Sequence, residues 1–393
     1  MRGLNVLHID DQEVYGRDNA SYNLDELYAK VKKDRNENTK HLKSNKWSLD
    51  TFPKVMMPAG EDIKLIQKME MKEYFTFKPM MGYVYINGEI KGLPVDLKNA
   101  AKSGLISLWN IMSFYSFIQK INSFDPKKPE SNFLKPNETA IELLKRFGLT
   151  KDEQVAWANY AFGLNIDEKP LYKSAKQLVL NIQKYIRSCA FLSQHTKDSL
   201  SPFMFIDYGG GDFCQGCARK ASVLGSTYRL KCDIKEVLYD SETGNVKGAV
   251  IHDSMITNSD ITIKCKAIVA EPSMMTEKCT KEGEVIRTVL ITKERIPGTT
   301  EQACQIVVPP IKGSNKKSPT YVCMFTSDNC VCEKDYYVIV IATKRDYSDN
   351  DPEHTMDLRP GMGVLKNIKI LDKFILTNDI YKPNKGYSKK GVI

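Results

Sequence analysis

Residues 202–230 read PFMFIDYGGGDFCQGCARKASVLGSTYRL, an apolar run followed by three glycines and a more polar segment. Consecutive glycines let the backbone turn sharply or approach another segment closely. Beyond them, Asp212, Gln215 and Arg219 recur at spacings of three and four residues, which places them on one face of a helix. That face would present a carboxylate, an amide and a guanidinium to a partner. The spacing alone also fits a glycine turn that leads into a solvated helix.

The same stretch carries weaker signals for other chemistry. Its glycines lack the Lys-Ser/Thr ending of a P-loop, so it is a poor phosphate cradle. Cys214 and Cys217 would need a second matching pair for a zinc site, and Cys330 and Cys332 have the wrong spacing. A thioredoxin-like βαβ context for redox chemistry is also absent. We interpret these cysteines as incidental and predict no metal site.

The chain on either side of this stretch alternates between strand-like and helical patterns. Short alternating runs separated by turn signals follow residue 208, and YVYINGEIKGLP predicts a β-hairpin around Asn87-Gly88. Between these parts, the apolar positions of LYKSAKQLVLNIQKYIRSC recur at helical spacing. We predict a mixed α/β fold, in which a discontinuous β-rich domain (residues 1–97 plus 204–393) contains an inserted helical domain (residues 98–203).

The segment LNVLHIDD, residues 4–11, predicts the first strand. A short apolar run that ends in acidic residues is typical of a buried parallel strand. In a dinucleotide-binding unit, the acid that ends the second strand binds a ribose hydroxyl, and a Gly-rich turn further upstream binds the pyrophosphate. Only Met1-Arg2-Gly3 precedes this run, so we favour a plain core strand over a nucleotide site at Asp10.

The composition excludes several classes of protein. With 42% apolar and 27% charged residues, the chain is an ordinary globular one rather than a disordered, collagen-like or disulfide-dense protein. Its 393 residues suffice for two lobes. The 57 Lys and Arg against 48 Asp and Glu give a net charge of +9, which favours an anionic surface or partner. The charge is too diffuse to indicate nucleic acid.

The chain carries no sequence signal for export, membrane insertion or catalysis. Acidic residues follow the start within ten positions, so we expect no signal peptide. The longest apolar stretch, residues 104–118, is 15 residues long and shorter than the roughly 20 that a membrane span needs. No HExxH or GxSxG motif occurs. We therefore expect a reduced, cytoplasmic protein that binds rather than catalyses.

Two blocks of the sequence resemble a known family. VLHIDDQEVYGRDNASYNLDELY, residues 6–28, looks like the opening block of the Rab GDP dissociation inhibitor and Rab escort protein superfamily. Residues 202–230 are similar to the family's Tyr-Gly-x-Gly-Glu-Leu-Pro-Gln-Gly-Phe-x-Arg run. Shorter matches, among them WSLDTFPKVMMPAG, EYFTFK and TNDIYKP, extend the resemblance over nearly the whole chain. Within the superfamily, the chain is more similar to the inhibitors.

The resemblance implies a non-enzymatic carrier without a cofactor. Such a protein binds GDP-bound, prenylated Rab GTPases, extracts them from membranes and slows GDP release in vesicular transport. It is cytoplasmic and contacts membranes transiently. The family fold resembles that of flavin monooxygenases, with Rab bound by the β-rich domain and the prenyl groups held by the helical domain. The alternatives are an escort protein that presents Rab to geranylgeranyltransferase and, more remotely, a flavin-dependent oxidoreductase.

Carried over position by position, the resemblance assigns Rab binding to residues of both blocks. Tyr15 matches the second tyrosine of the family's Tyr-Tyr-Gly-Gly motif, and Asp212 takes the place of a glutamate. Arg229 stands where inhibitors have a methionine. Three residues match the family unchanged: Gln215, Arg219 and Thr227.

The helical domain would supply the lipid and enzyme contacts. Phe191 falls on the position at which an escort phenylalanine inserts into the prenyltransferase, where inhibitors usually have tyrosine. A core aromatic at the end of a helix is the simpler interpretation of Phe191. The candidates for a prenyl groove come from the helical stripe, which could equally be plain core: Leu178, Ile182, Tyr185 and Ile186.

The sequence also departs from the family pattern. Arg17 replaces the second glycine of Tyr-Gly-Gly, Cys214 a proline, Cys217 a phenylalanine and Ser226 a glycine. We further expect the fold to lack its usual first strand and its closing C-terminal helices, because the chain begins at the LNVLHIDD strand and YSKKGVI ends where the family continues. A sheet without that strand would expose unpaired backbone and apolar side chains.

Overall fold

A computed structural model describes residues 3–94, 97–128, 131–196, 201–348, 351, 353–384 and 391. The final stretch YSKKGVI lies outside the described residues apart from Gly391. The strands are β1 (Leu7–Ile9), β2 (Ser21–Tyr22), β3 (Leu49–Asp50), β4 (Phe77–Ile86), β5 (Glu89–Gly92), β6 (Phe203–Ile206), β7 (Thr227–Arg229), β8 (Cys232–Tyr239), β9 (Val246–Asp253), β10 (Ser259–Lys264), β11 (Cys279–Thr292), β12 (Cys304–Val308), β13 (Thr320–Phe325), β14 (Tyr337–Lys344) and β15 (Ile370–Pro383). The α-helices are α1 (Leu24–Lys30), α2 (Glu61–Lys68), α3 (Leu97–Ser103), α4 (Ile111–Ser123), α5 (Ala140–Arg146), α6 (Asp152–Trp157), α7 (Ala175–His195), α8 (Gly210–Val223) and α9 (Thr355–Leu365).

The largest sheet organises the fold. Its strand order is β15-β11-β14-β13-β12-β4-β5, and β6 also pairs with β4. All neighbours are antiparallel except β12 and β4, which run parallel. Three smaller sheets complete the described strands: β10-β9-β8, the parallel pair β1-β7 and the pair β2-β3. The predicted mixed α/β fold is confirmed.

Helices cover both faces of the large sheet. On one face, aromatic residues of the helical part, such as Phe117 and Trp157, share a continuous buried cluster with Phe325 and Val338 of the sheet. On the other face, α9 packs its apolar side against β12, β13 and β14. The five helices α3 to α7 follow one another along the chain between β5 and β6. The helical part is therefore fixed to the β-rich part by apolar packing.

Two local predictions are confirmed, one of them with a changed boundary. The hairpin forms between β4 and β5, and Asn87 and Gly88 take positive φ angles of 54° and 81° as its turn requires. The apolar stripe lies on α7, which begins at Ala175 because Ser174 caps it. Leu171 belongs instead to a preceding 3-10 turn.

The first strand is parallel, as predicted, but it is not buried. β1 pairs with β7 through the register Leu7–Thr227 and Ile9–Arg229. Leu7 is 36% exposed, and Val6 and Leu4 before it are 49% and 74% exposed. Among the described residues β1 pairs with this one strand, and of its apolar side chains Ile9 alone packs against a buried cluster. The prediction of a buried strand was therefore wrong.

A buried lysine ties α9 to the sheet. The Lys316 Nζ atom donates to Asp346 Oδ2 at 2.8 Å, to Asp357 Oδ1 of α9 at 3.1 Å and to the Lys344 carbonyl at 2.6 Å. Asp346 also accepts backbone amides of residues 317 and 318, and its pKa is lowered by these donors although burial opposes the shift. This network links the β12–β13 connection, the end of β14 and α9.

The substitution Lys316→Met should lower the free energy of unfolding by about 3–5 kcal/mol, because it leaves two buried carboxylates without their cation. Chemical denaturation followed by circular dichroism measures this. The control is Lys312→Met, whose pair with Asp152 is exposed to solvent and should contribute little to stability. Equal losses in both variants would contradict the assignment of a buried network.

Candidate functional site

The three glycines allow the start of α8 to contact two side chains of the β2–β3 pair. The Gly210 amide donates to Asp50 Oδ2 at 2.8 Å, and the Gly211 amide donates to Ser21 Oγ at 2.9 Å. The Ser21 hydroxyl in turn donates to Asp50 Oδ1 at 2.5 Å. An internal carboxylate thus takes the position at a helix N-terminus where anions bind favourably.

This contact requires glycine at two positions. A β-carbon at Gly209, where φ is 97°, would collide with the Asp50 carboxylate. A β-carbon at Gly211 would lie 2.5 Å from the Ser21 amide nitrogen. Burial raises the pKa of Asp50 to about 6, although the Ser21 and Gly210 hydrogen bonds favour its charged form. The glycine run is therefore a close-approach element.

The turn after β1 packs against the same helix. Gly16 has a φ of 101°, and a β-carbon there would lie 2.8 Å from Cys214 Sγ of α8. The buried Asp10 carboxylate accepts the Gln12 amide at 3.0 Å and the Gly16 amide at 3.3 Å, which closes the turn. Tyr15 is thereby held edge-on against Tyr228 of β7, with ring centroids 5.4 Å apart.

These elements surround an open pocket of about 360 Å³, which we call the α8 pocket. The guanidinium of the exposed Arg219 lies 5.7 Å from the ring centroid of Tyr74. Burial raises the pKa of Asp212. Among the described residues no side chain donates a hydrogen bond to the Asp212 carboxylate, so it is available to a partner. The lining residues are Tyr15, Tyr74, Asp212, Gln215, Gly216, Ala218, Arg219 and Ser222.

The structure brings together four of the six residues assigned to Rab binding, and the other two lie on β7. Tyr15, Asp212, Gln215 and Arg219 line the α8 pocket. Thr227 is exposed on β7 next to Leu7.

Arg229 is held apart from the pocket lining. It forms an ion pair with the buried Asp253 at the end of β9. The Asp253 pKa is lowered, first by the Ile256 amide and then by Arg229. Arg229 is therefore already paired within the protein.

Sequence reasoning missed the residues that support the pocket. Tyr74 lies in the segment EYFTFK, and Tyr228 lies in the Ser-Thr-Tyr-Arg end of the glycine block, so both were inside recognised matches. The sequence around Asp50 and Ser21 contains no motif that marks them. Their role depends on hydrogen bonds to the start of α8, about 160 to 190 residues further along the chain. A hydrogen bond at that separation has no periodicity to detect.

The arginine that replaces a family glycine keeps the backbone conformation of a glycine. Arg17 has a φ of 46°, in the left-handed region that disfavours side chains. Its guanidinium lies 3.0 Å from Asp11 Oδ1 and donates to Ser273 Oγ at 3.1 Å. These contacts offset the backbone strain and connect the turn to the segment before β11.

The candidate prenyl-groove residues lie in a closed core. Leu178, Ile182 and Tyr185 are at most 2% exposed, and Ile186 packs against the same cluster at its edge. Burial raises the pKa of Tyr185 well above its usual value. A groove at this position would require helices of this part to separate. Their role in lipid binding stays a prediction.

Phe191 lies at the end of the same helix, α7. It is 47% exposed and stacks on His195 at a centroid distance of 4.2 Å. It is therefore accessible, and the simpler interpretation of a core aromatic was wrong.

The described residues provide neither a metal site nor a membrane-spanning helix. No group of three or more His, Cys, Asp or Glu is arranged to hold a metal ion in that part of the chain. No helix there combines the length and the apolar character needed to cross a membrane.

Comparison with known sequences decides the family. A profile of the GDP dissociation inhibitor family matches residues 1–393. The chain belongs to this family. Guanosine nucleotide diphosphate dissociation inhibitor 1 of Arabidopsis thaliana is 29% identical over 385 residues, covering 97% of this chain and 82% of that protein. Rab GDP dissociation inhibitor beta of Canis lupus familiaris is 29% identical over 388 residues, covering 98% and 82%.

Solved structures agree on the fold. Rab GDI from Plasmodium falciparum superimposes with a TM-score of 0.85 at 23% identity, covering 98% of this chain and 86% of that one. An oxidoreductase from Methanosarcina mazei superimposes with a TM-score of 0.58 at 11% identity, covering 97% and 83%. The predicted fold, shared by this inhibitor family and oxidoreductases, is confirmed. At these identities the superpositions show the fold alone.

The family match and these relatives confirm the inhibitor interpretation of the sequence. The GDP dissociation inhibitor family consists of non-enzymatic regulators, and this chain is one of them.

The substitution Gly16→Ala should destabilise the protein by about 2–3 kcal/mol, because it combines a left-handed φ with a collision against Cys214. The control is Gly88→Ala, whose φ is 81° but whose β-carbon would meet nothing within 4 Å. Gly88→Ala should therefore cost only the backbone strain, about 1 kcal/mol. Urea unfolding measures both, and equal costs would show that the turn does not pack tightly on α8.

The substitution Asp50→Asn should flatten the dependence of stability on pH. The folded pKa of Asp50, about 6, exceeds the ordinary value of 3.8. Protonated Asp50 therefore stabilises the fold below about pH 4, and this contribution of about 3 kcal/mol is lost as the pH rises through 6. Asparagine removes the titration yet can still accept the Gly210 amide.

Urea midpoints measured between pH 4 and 7.5 test this prediction. The difference in stability between the wild type and Asp50→Asn should change across that range. The exposed Asp34→Asn variant is the control for the loss of one negative charge. A constant difference for Asp50→Asn would contradict the raised pKa.

Proposed function

We propose that this member of the family binds GDP-bound, prenylated Rab GTPases, extracts them from membranes and slows their release of GDP. Relatives named Rab GDP dissociation inhibitor match over nearly the whole chain, which supports Rab as the partner. The observation that carries the proposal is the α8 pocket, where a carboxylate, an amide and a guanidinium face solvent together on one helix.

The chemistry of the pocket suits a protein partner. Asp212 would accept a hydrogen bond or pair with a cation, and Gln215 can both donate and accept. The planar guanidinium of Arg219 can donate two hydrogen bonds to a carboxylate or one to a carbonyl. Its contact with the Tyr74 ring partly orders the side chain. Arg and Tyr are the side chains that most often dominate binding energy at protein interfaces. Thr227, on β7 beside the Tyr15 turn, would extend this surface.

In the proposed division of labour, the β-rich part (residues 1–97 plus 204–393) recognises the GTPase and the helical part (98–203) holds the prenyl groups. A prenyl chain gains about 0.8 kcal/mol for each CH₂ removed from water, so it needs an apolar groove. Leu178, Ile182, Tyr185 and Ile186 would line that groove after the helices part. Two linked sites give a tighter clamp than either alone. We place such a carrier in the cytoplasm, with transient contact at membranes.

The decisive experiment is extraction of a prenylated Rab from liposomes, comparing GDP with GTP loading. Arg219→Ala should weaken GDP-selective extraction at least tenfold, which corresponds to about 1.4 kcal/mol. The matched control is Arg187→Ala, an exposed arginine on α7 outside the pocket, which should extract like the wild type. Undiminished extraction by Arg219→Ala, or equal loss in both variants, would reject the α8 pocket as the Rab site.

Phe191, which is half-exposed, is the residue through which the escort alternative would contact Rab geranylgeranyltransferase. An additional arm of the same experiment supplies the transferase, unprenylated Rab and geranylgeranyl diphosphate. An inhibitor should not stimulate prenylation. Stimulation that Phe191→Ala abolishes would instead assign an escort activity to the chain.

A further inference from the structure

The helical part exposes an apolar face that the proposed Rab and prenyl contacts do not use. Trp109 is 95% exposed, Met112 67% and Tyr115 41%. Trp109 lies in a 3-10 turn, Leu108–Asn110, that leads directly into α4. Residues three apart are neighbours along one side of a helix, so these three side chains form one stripe. We call it the α4 face.

The α4 face lies away from the core side of the helix. Phe114, Phe117 and Ile121 lie on the other side of α4 and are buried in the main core. A helix at the surface of a globular protein usually carries charged or polar side chains opposite its core side. Here Trp109, Met112 and Tyr115 stand in those positions. Exposed apolar side chains that form a continuous patch mark interaction sites.

Basic residues flank the face in the sequence, and acidic residues are absent from its segment. Between Asp96 and Asp125 the sequence contains lysines at positions 98, 102 and 120 and no Asp or Glu. No charged residue of either sign lies between Lys102 and Lys120. The segment therefore combines an uncharged centre with positive ends.

A second segment adds positive charge near Trp109. The Asn110 side chain donates to the Gly148 carbonyl at 2.7 Å, which places the loop after α5 beside the α4 face. Exposed lysines flank this loop at Lys145 and Lys151. Of the two acidic residues that begin α6, one is already paired with Lys312 at 3.0 Å.

We propose that the α4 face is a membrane-contact surface that inserts shallowly into an anionic lipid bilayer. Tryptophan and tyrosine favour the boundary between headgroups and acyl chains, and the surrounding lysines are attracted to anionic headgroups. A protein partner fits less well, because three side chains on one helix offer much less than the roughly 800 Å² that each side of a stable protein interface buries. This contact requires no Rab, so it is tested separately from the proposed function.

Tryptophan fluorescence gives a direct readout of the insertion. The chain has three tryptophans, and Trp47 and Trp157 are 3% and 0% exposed, so a change on lipid binding reports Trp109. With the purified full chain and vesicles of phosphatidylcholine and phosphatidylserine, the emission should shift to the blue, and brominated acyl chains should quench it. Binding in a vesicle co-sedimentation assay should rise with the phosphatidylserine fraction and fall with added salt.

A triple variant, Trp109→Ser with Met112→Ser and Tyr115→Ser, should bind vesicles at least tenfold more weakly. The matched control is Met255→Ser with Ile256→Ser, two exposed apolar residues in the β9–β10 turn, which should bind like the wild type. Circular dichroism verifies that both variants are folded. Vesicle binding without a blue shift, equal loss in both variants, or no vesicle binding by the wild type would overturn the proposal. So would a blue shift that follows protein concentration in the absence of lipid, since a second copy would then cover the face.

Discussion

The attachment of the α8 N-terminus to Asp50 and Ser21 determines the geometry of the α8 pocket. Two backbone amides at the start of this helix donate to side chains of β2 and β3, and only glycine allows the approach. Because the helix is fixed at this end, the positions of Asp212, Gln215 and Arg219 along it are fixed as well. The Gly16 turn then packs on Cys214 one turn later and brings Tyr15 to the same surface. A single polar contact thus aligns residues from distant parts of the chain.

This contact also shows how one fold can serve different purposes. The start of a helix after a glycine-rich turn attracts anions, because its amides are unpaired and its dipole is positive there. In this chain the Asp50 carboxylate supplies that negative charge, so the first amides of α8 are not free for an external phosphate. The outward side of the helix carries Asp212, Gln215 and Arg219, the residues that the proposed function assigns to Rab binding. The fold shared with an oxidoreductase therefore gives no argument for oxidoreductase chemistry at α8.

The sequence predicts those features that depend on local pattern. The Asn87-Gly88 hairpin, the buried stripe of α7 and the helical face of Asp212, Gln215 and Arg219 all follow from spacing within a few residues. Predictions of features that depend on packing between distant parts of the chain were wrong, or the features were missed. The exposure of β1 depends on which strands neighbour it, and LNVLHIDD cannot reveal that.

Arg229 shows the same limit. Family resemblance placed it in a binding surface, whereas the structure pairs it with Asp253 of β9. A buried carboxylate with a neighbouring arginine is difficult to separate from that partner, because the remaining charge would stay desolvated. Arg219 instead has an aromatic neighbour and an exposed guanidinium. Replacing the water around this guanidinium with a partner therefore costs less free energy. Two arginines of one sequence block, only ten residues apart, therefore differ in their availability to a partner because their surroundings differ.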